Sequence, residues 1–286
     1  MYNKKEMDEA LKLKLRILAD RYEVSSFCEE DPSQFLRWYQ PAAGRGTLAD
    51  VEAASFIAAM LAFGNRKQFI PKIRQILSTA DNSASGGSIS GWLKKRQFKK
   101  DFPSGAAKFY RFYSYDDMQT FFGELAAILK EAGSLGEFFE TKYKEGKAFP
   151  SLQPAPRSFA TPSPRGAPPK TPAALHEIIA SAFPKSAIVP KGRSSANKRI
   201  NMFLRWMVRR NSPVDLGLWK WADSASLLIP LDVHVMQEAA KLGLIPEGAT
   251  ASRKTAELLT SALAEVFPGD PCRGDFALFG LGVDVV

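Results

Sequence analysis

The sequence predicts an all-α protein built from two groups of helices, and three observations support this. Apolar residues recur at intervals of three and four along many segments, which is typical of helices with one buried face. Alternation of Val, Ile and Thr over the length of a strand is nearly absent, so we expect no sheet. A proline-rich stretch divides the helical segments into two groups, in a chain of 286 residues that is long enough to bury a large core.

The first group of helices is predicted for residues 1–148 from apolar spacing and from polar side chains near the helix starts. The segments are 5–21, 48–63, 66–79, 116–131 and 134–142. Asp50 and Glu52 fall in the first turn of the second segment, where the helix dipole favours acidic side chains. Ser134 can cap the last segment. We expect these helices to form the N-terminal part of the fold.

Residues 149–172 interrupt the helical pattern, because they contain eight prolines among serine, alanine and glycine. Prolines at this density oppose both helix and sheet pairing, so we expect an exposed connector. The second group of helices, in residues 173–286, is predicted near 172–183, 194–210, 232–242, 252–266 and 271–281. Ser252 can cap the fourth of these. Gly280 and Gly282 are expected at close contacts or at the end of the last.

Composition restricts the classes of function. The net charge of +9 favours an anionic partner, of which nucleic acid is the commonest. Two cysteines, Cys28 and Cys272, and two histidines, His176 and His234, argue against a disulfide framework and a metal or iron–sulfur site. We expect no cofactor, His176 on an exposed helix face and His234 as a structural hydrogen-bonding residue. Since no stretch resembles a signal peptide or a membrane span, we expect a cytoplasmic monomer without membrane contact.

Lys198 is the first candidate for chemistry. Four apolar residues at helical spacing must face a core, and Lys198 lies off their face near the start of the same helix. These four are Ile200, Phe203, Leu204 and Met207. The positive end of the helix dipole and the like charges of Lys191, Arg193 and Arg199 disfavour an ammonium here, and nucleophilic catalysis needs the neutral amine. The alternative is an ordinary solvated lysine.

The segment that precedes Lys198 has features of a phosphate-binding turn. It reads Pro-Lys-Gly-Arg-Ser-Ser over residues 190–195. Gly192 permits close approach of the backbone, and the N–H groups at a helix start can hold a phosphate. Many helix starts share these features, so the pattern is only weakly specific.

Asp232 is the second candidate. It follows the hydrophobic run Leu227–Leu231 and opens the next long helix. An aspartate at this position can cap the helix, and the cap would hold its carboxylate rigidly enough for catalysis as well. Asp275, near the start of the last helix, can cap it or orient another group, and we expect a structural role.

Both candidates belong to motifs that resemble one superfamily. Residues 231–235, Leu-Asp-Val-His-Val, resemble the Val-Asp-Thr-His-Val type motif of the helix–hairpin–helix DNA glycosylases. Residues 197–206 are similar to the lysine helix of the archaeal 8-oxoguanine glycosylase branch, and the separation of Lys198 from Asp232 suits that branch. A related uncharacterised bacterial family is also similar.

A third match covers residues 52–66, which resemble the helix and loop that carry the inserted residue in that superfamily. That residue fills the gap left by the flipped base, and Asn65, Arg66 and Gln68 are the candidates for it here. The alternative is a simple corner between two helices, with Gly64 as a left-handed cap and Asn65 as the start of the next helix.

The resemblance implies a glycosylase-like fold, in which two helical subdomains flank a cleft, and a base-excision repair activity on double-stranded DNA. Lys198 would attack the sugar C1′ of a nucleotide with a damaged base, such as an oxidised purine, and Asp232 would stabilise the cationic sugar or help deprotonate the lysine. AP-lyase cleavage can follow.

Basic residues around the site would bind the DNA under the same reading. Lys191, Gly192, Arg193 and Arg199, together with Arg205, would hold phosphates. Aromatic side chains would stack on the flipped base, and the candidates are Phe63, Trp38, Tyr39 and Trp219.

Two other classes remain open at this point. The first is a catalytically inactive helical module that binds DNA or RNA, and the second is a helical scaffold with an anionic protein partner. The joint presence of Lys198 and Asp232 favours the enzyme. Convergence of their side chains on one cleft is the observation that separates the enzyme from the other two.

Overall fold

The computed structural model describes residues 7–145 and 172–283, and helices dominate both ranges. Their α-helices are α1 (Glu9–Tyr22), α2 (Leu48–Leu61), α3 (Arg66–Asp81), α4 (Ile89–Lys94), α5 (Phe98–Asp101), α6 (Tyr115–Ala132), α7 (Leu135–Glu145), α8 (Pro172–Ser181), α9 (Lys198–Val208), α10 (Val233–Lys241), α11 (Arg253–Val266) and α12 (Gly274–Val283). The predicted all-α class is therefore confirmed. The predicted connector, 149–172, lies outside the described residues except for Pro172, where α8 begins.

Short 3-10 helices and one hairpin complete the secondary structure of the described ranges. The 3-10 helices are Ser25–Cys28, Pro32–Arg37, Pro41–Ala43, Ser224–Ser226 and Pro271–Arg273. Strands β1 (Lys108–Tyr110) and β2 (Tyr113–Ser114) pair in an antiparallel hairpin. The expectation of no sheet was wrong here, because strands of two and three residues are too short to show alternation.

Polar side chains at the predicted positions begin several helices. The Thr47 and Asp50 side chains each accept from the other's backbone N–H, which forms a capping box at the start of α2. The Ser134 hydroxyl accepts from Glu137 N at 3.1 Å before α7, and the Ser252 hydroxyl caps α11. The capping residues predicted from the sequence therefore lie at helix starts in the structure.

The larger of the two hydrophobic cores surrounds α2, whose residues 50–61 are all buried. Helices α3 to α9 supply most of its other buried side chains, and Phe56 packs on Phe121, Phe183 and Phe203 with ring centroids 4.9–5.9 Å apart. A helix buried on every side shows no amphipathic pattern, which suits its central position.

The smaller core joins the first helix to the last three. Helix α1 packs along α12, and α10 packs on the same helix. Buried Leu15 and Ala19 from α1 meet apolar residues of α10, α11 and α12. A Cβ at Gly280 would overlap the ring of Tyr22, so α1 and α12 are in close contact. Each core draws residues from both sides of the predicted connector.

A buried group of ion pairs links the two cores. Arg209, at the end of α9, donates to both oxygens of Asp270 at 2.7 and 2.8 Å and to Glu23 at 2.8 Å. It also donates to Asp215. Glu23 follows α1 and Arg209 follows α9. This arginine therefore links the first helix of the smaller core to α9 of the larger core.

A cleft lies between the two cores. Phe69 and Met202 from the larger core form part of its wall, and Val235 from the smaller core faces it. Within the described ranges, no helix combines the length and the apolar character that crossing a membrane requires.

Candidate active site

Lys198 is the first residue of α9, and an unusual backbone turn positions it. The residue before it, Asn197, adopts a left-handed conformation with φ 44°. The buried Asn197 side chain donates to Gly192 O at 2.6 Å and to Ser195 O at 3.2 Å. The helix therefore begins later than the predicted residue 194, because residues 190–197 form a separate loop that this amide holds.

His176 supports the same loop from α8. Its ring Nε2 contacts the Asn197 side-chain amide, and its side chain is buried rather than exposed as we expected. Burial, followed by the charge of Arg253, lowers the pKa of His176 to about 4. A neutral ring can accept a hydrogen bond from the amide, so the predicted exposed position was wrong and the residue helps to place Lys198.

Asp232 is the N-cap of α10, as predicted from its position before the helix. Its Oδ1 accepts from Val235 N at 2.8 Å, and its Oδ2 accepts from Lys198 Nζ at 2.8 Å. The Lys198 side chain is 37% exposed and the Asp232 side chain 23%. The two residues, 34 positions apart in sequence, thus converge as a half-buried ion pair.

The charge state of Asp232 follows from its neighbours. Burial alone would raise the pKa of its carboxyl group, but the charge and hydrogen bond of Lys198, with the Val235 N–H, hold the pKa below its usual value. Asp232 is therefore a carboxylate at neutral pH, placed to accept a proton from the lysine.

The ion pair opens into the cleft, which encloses about 450 Å³. Charged and polar residues in its wall are Asp31, Arg66, Lys198, Arg205, Asp232, His234 and Asp275. The remaining lining residues are mostly apolar or small, and they are Phe27, Pro32, Ala62, Phe63, Gly64, Phe69, Met202, Pro230, Val235, Phe279 and Gly282. Apolar walls with a few convergent polar groups are typical of small-molecule sites of about 300–1,000 Å³.

Asp275 is a further carboxyl group in the same wall. Burial raises its pKa to about 6, although Arg205 donates to it and favours the charged form. The nearby charge of Asp232 raises the pKa further. Arg205 also donates to Asp215 at 3.2 Å and is 3% exposed, so its predicted place on a basic surface was wrong. Two carboxylates neutralise it inside the protein.

A family of proteins matches this chain over residues 31–284, and its description is protein of unknown function, DUF2400. The chain belongs to the DUF2400 family. No curated protein and no solved structure is similar enough to count as a match. The cleft and its ion pair are therefore the main observations from which a function of this DUF2400 protein can be argued.

The loop after α2 places the three residues predicted to reach into the DNA. Gly64 has φ 80°, and the Asn65 side chain caps α3 by accepting from Lys67 N at 2.9 Å, as the corner interpretation predicted. The cap residue of α2 is Ala62 rather than Gly64. Asn65 and Gln68 are exposed beside the cleft wall. Arg66 lines the cleft, 3.9 Å from Asp31 Oδ2 and 5.3 Å from the centre of the Phe279 ring. Insertion into DNA stays a prediction.

The basic residues near the lysine helix have different surroundings in the DUF2400 chain. Gly192 and Arg193 are exposed in the loop before α9, as is Lys191, which donates to Pro184 O at 2.9 Å and Ser186 O at 2.6 Å. Arg199 is half-buried and donates to Met60 O and, at 3.2 Å, to the Tyr113 hydroxyl. None of these residues lines the cleft, and their contact with phosphates stays a prediction.

Of the four aromatic candidates for stacking, Phe63 alone lines the cleft. Trp38 donates to Asp81 at 2.8 Å, Tyr39 is 2% exposed, and Trp219 donates to Glu52 at 2.8 Å within the larger core. The aromatic walls that sequence reasoning missed are Phe27 and Phe279. Phe279 was visible only as part of an apolar helix, and Phe27 as part of an irregular segment, so neither carried a functional signal.

Metal-binding clusters are not found among the described residues, in which no three His, Cys, Asp or Glu side chains are grouped suitably. Both cysteines are free, and Cys272 is buried. The chemistry that the cleft residues offer is that of an amine, three carboxyl groups, an imidazole and aromatic rings.

Proposed function

We propose that this protein is a DNA glycosylase with AP-lyase activity, which removes a damaged base from duplex DNA through Lys198. The observation that carries the proposal is the 2.8 Å contact between Lys198 Nζ and Asp232 Oδ2 at the wall of a cleft. An amine beside a carboxylate that can take its proton is the pairing that a covalent sugar intermediate requires.

The reaction begins with proton transfer from Lys198 to Asp232. The neutral nitrogen then bonds to C1′ of the sugar while the N-glycosidic bond breaks, and its electron pair leaves with the base. The proton on Asp232 passes to the departing base. Asp232, again a carboxylate, stabilises the cationic character of the sugar.

Strand cleavage continues from the amine adduct. The sugar ring opens between C1′ and O4′, O4′ takes the proton that the nitrogen loses, and a Schiff base forms. The Asp232 carboxylate then takes a proton from C2′, a C2′=C3′ double bond forms, and the C3′–O bond breaks to release the 3′-phosphate. The Lys198–C1′ linkage is the intermediate that borohydride traps.

The cleft supports binding of an extruded base. A base inside the duplex stack cannot be reached by a side chain, so it must leave the stack first. The cleft volume of about 450 Å³ suits a nucleoside, and aromatic residues such as Phe27 and Phe279 offer ring surfaces in its wall. The net charge of +9 favours binding to the phosphate backbone.

Borohydride trapping on duplex oligonucleotides tests the proposal. With an abasic site or 8-oxoguanine in the strand, we expect a covalent adduct in the wild type that is lost in Lys198→Gln. Asp232→Asn should lower the single-turnover rate by about 100-fold or more, within the range that general acid–base residues contribute. Lys254→Gln is the matched control, because Lys254 is also a lysine in the first turn of a helix but is exposed and does not line the cleft.

Two outcomes would contradict the proposal. An adduct that persists in Lys198→Gln would exclude Lys198 as the nucleophile. Salt-dependent DNA binding with no adduct and no released base, across a panel of lesions, would instead indicate the catalytically inactive binding module.

A further inference from the structure

The tip of the β1–β2 hairpin exposes a large aromatic side chain. Tyr110 pairs with Tyr113, so Arg111 and Phe112 form a two-residue turn, and Arg111 has φ 50°. Phe112 is 59% exposed, among the most exposed large apolar side chains of the described residues. Single exposed apolar side chains are common on protein surfaces, so the case for Phe112 depends on its surroundings.

The exposed ring is held in place by other aromatic side chains. Phe112 lies 4.5 Å from the Tyr113 ring and 5.4 Å from the Phe63 ring, measured between centroids. Phe63 in turn packs on Tyr110, whose hydroxyl donates to Phe63 O. The Phe112 ring therefore packs against two other aromatic rings while more than half of the residue is exposed, as a stacking platform requires.

The hairpin lies at the rim of the cleft. Phe63 and Gly64 line the cleft, and the Arg111 guanidinium lies against Gly64. Arg199, which follows Lys198 in sequence, stacks over Phe63 at 4.8 Å and donates to the Tyr113 hydroxyl. This arginine couples the hairpin directly to the helix that carries the candidate nucleophile.

The surroundings of the tip are basic. Arg111 and Lys108 are exposed on the hairpin, and Arg199 lies beneath it. The nearest carboxylates in sequence, Asp116 and Asp117, accept from the backbone N–H groups of Gly105 and Ser114 at 2.7 Å. An exposed ring flanked by cations complements a base stack flanked by phosphates.

We propose that the hairpin tip is the wedge that enters duplex DNA beside the extruded nucleotide. Phe112 stacks on the base pair that borders the gap, and Arg111 contacts the adjacent phosphate. This inference rests on the proposed glycosylase function and assigns the distorting element to a segment outside α2 and α9. The wedge stabilises the extruded state, since it replaces the stacking that the flipped base loses.

Single-turnover kinetics on two substrates test the wedge. For a base-paired lesion, we expect Phe112→Ala to release the base about tenfold more slowly than the wild type, in line with the stacking that is lost. On an abasic site, where no base has to leave the stack, trapping should stay within about twofold. Phe112→Trp should retain the wild-type rates on both substrates.

Leu48→Ala is the matched control. Leu48 is 58% exposed and is the first residue of α2, whereas the cleft lies beyond the last residue of this helix. The two ends are about 20 Å apart along the helix axis. Its loss should change neither rate. Equal rates for Phe112→Ala and wild type on the paired lesion would overturn the wedge, as would an equal loss on both substrates.

A second readout separates failure of the wedge from failure of the enzyme proposal. A 2-aminopurine placed beside the lesion fluoresces more strongly when it is unstacked, and this needs no bond cleavage. A rise on binding in the wild type that is lost in Phe112→Ala supports the wedge even if no adduct forms. Absence of the rise in the wild type, or absence of DNA binding, overturns it.

Discussion

Lys198 and Asp232 both have ordinary roles that coexist with the proposed ones. Asp232 caps α10 through Oδ1, which leaves Oδ2 for the lysine. Lys198 is the first residue of α9, and it forms its ion pair with that oxygen. The capping hydrogen bond through Oδ1 therefore fixes the position of the Asp232 carboxylate, whose Oδ2 can receive a proton.

Sequence alone identified this pair but not Asp275 as a member of the site. Lys198 and Asp232 each belong to a local motif, whereas Asp275 enters the cleft only through the packing of α12 against α10. Its burial and its contact with Arg205 are tertiary, so no local pattern could report them.

Asp275 makes folding stability depend on pH in a defined direction. Burial raises the pKa of Asp275 from 3.8 to about 6. The folded state therefore binds the proton more tightly than the unfolded state, and this stabilisation is complete below about pH 4 and is lost as the pH rises through 6. In Asp275→Asn the side chain does not titrate, so the variant does not lose stability in this way. We expect the free energy of unfolding of Asp275→Asn, relative to wild type, to increase by about 2–3 kcal/mol between pH 4 and pH 7.

Urea unfolding at several pH values measures this difference. Glu247→Gln, which changes an exposed glutamate, should show a nearly constant difference from wild type over the same range. A flat or falling difference for Asp275→Asn would mean that the carboxyl group is ionised in the fold at an ordinary pH.

At the scale of elements, the predictable part was the longer helices with a polar cap, whether they have one apolar face, as α3 and α11 do, or are buried on every side, as α2 is. The spans 48–63, 66–79 and 252–266 agree with α2, α3 and α11 to within about two residues. The short helices α4 and α5 and the hairpin were missed, because segments of two to six residues carry less than two turns of periodicity.

The two glycines of α12 are expected to respond differently to the same substitution. Gly280→Ala should reduce the free energy of unfolding by about 1–3 kcal/mol, because its Cβ would overlap the Tyr22 ring. At Gly282 a Cβ would lie 3.9 Å from Glu238 and 4.0 Å from His234, which is ordinary contact. Gly282→Ala should therefore be neutral or stabilising by up to about 1 kcal/mol, since alanine favours a helix.

Urea denaturation of the two variants under identical conditions provides the comparison. Equal stabilities would show that α1 can move away from α12 at little cost. The contact would then be loose rather than the close packing that the structure describes.

At the scale of the whole molecule, the two cores depend on one buried arginine. Arg209 serves three carboxylates, and its removal leaves Glu23, Asp215 and Asp270 without their shared cation. Breaking a buried ion pair from one side typically costs about 3–5 kcal/mol. We expect Arg209→Leu to lose at least that much stability in urea.

Arg210→Leu is the natural control, because Arg210 is the exposed neighbour in sequence. It should lose less than about 1 kcal/mol, as is usual for surface changes. A loss of similar size in both variants would show that the buried ionic group does not hold the cores together.

Which helices contribute to which core could not be predicted from the sequence. The apolar faces of α1 and α12 are visible as patterns, but which face meets which is decided by complementary shape, such as Gly280 against Tyr22. The cleft and the approach of Lys198 to Asp232 were expected only through resemblance and could not be derived from spacing.

The pairing of α1 with α12 has a consequence for synthesis of the protein on the ribosome. Helix α1 leaves the exit tunnel long before its partner exists, so Leu15 and Ala19 stay uncovered while the larger core assembles. Apolar surface that stays exposed on α1 during synthesis makes the nascent chain prone to aggregation or to binding by chaperones. The proposed catalytic carboxylate, at the start of α10 in the same core, therefore becomes fixed only after α12 has been synthesised.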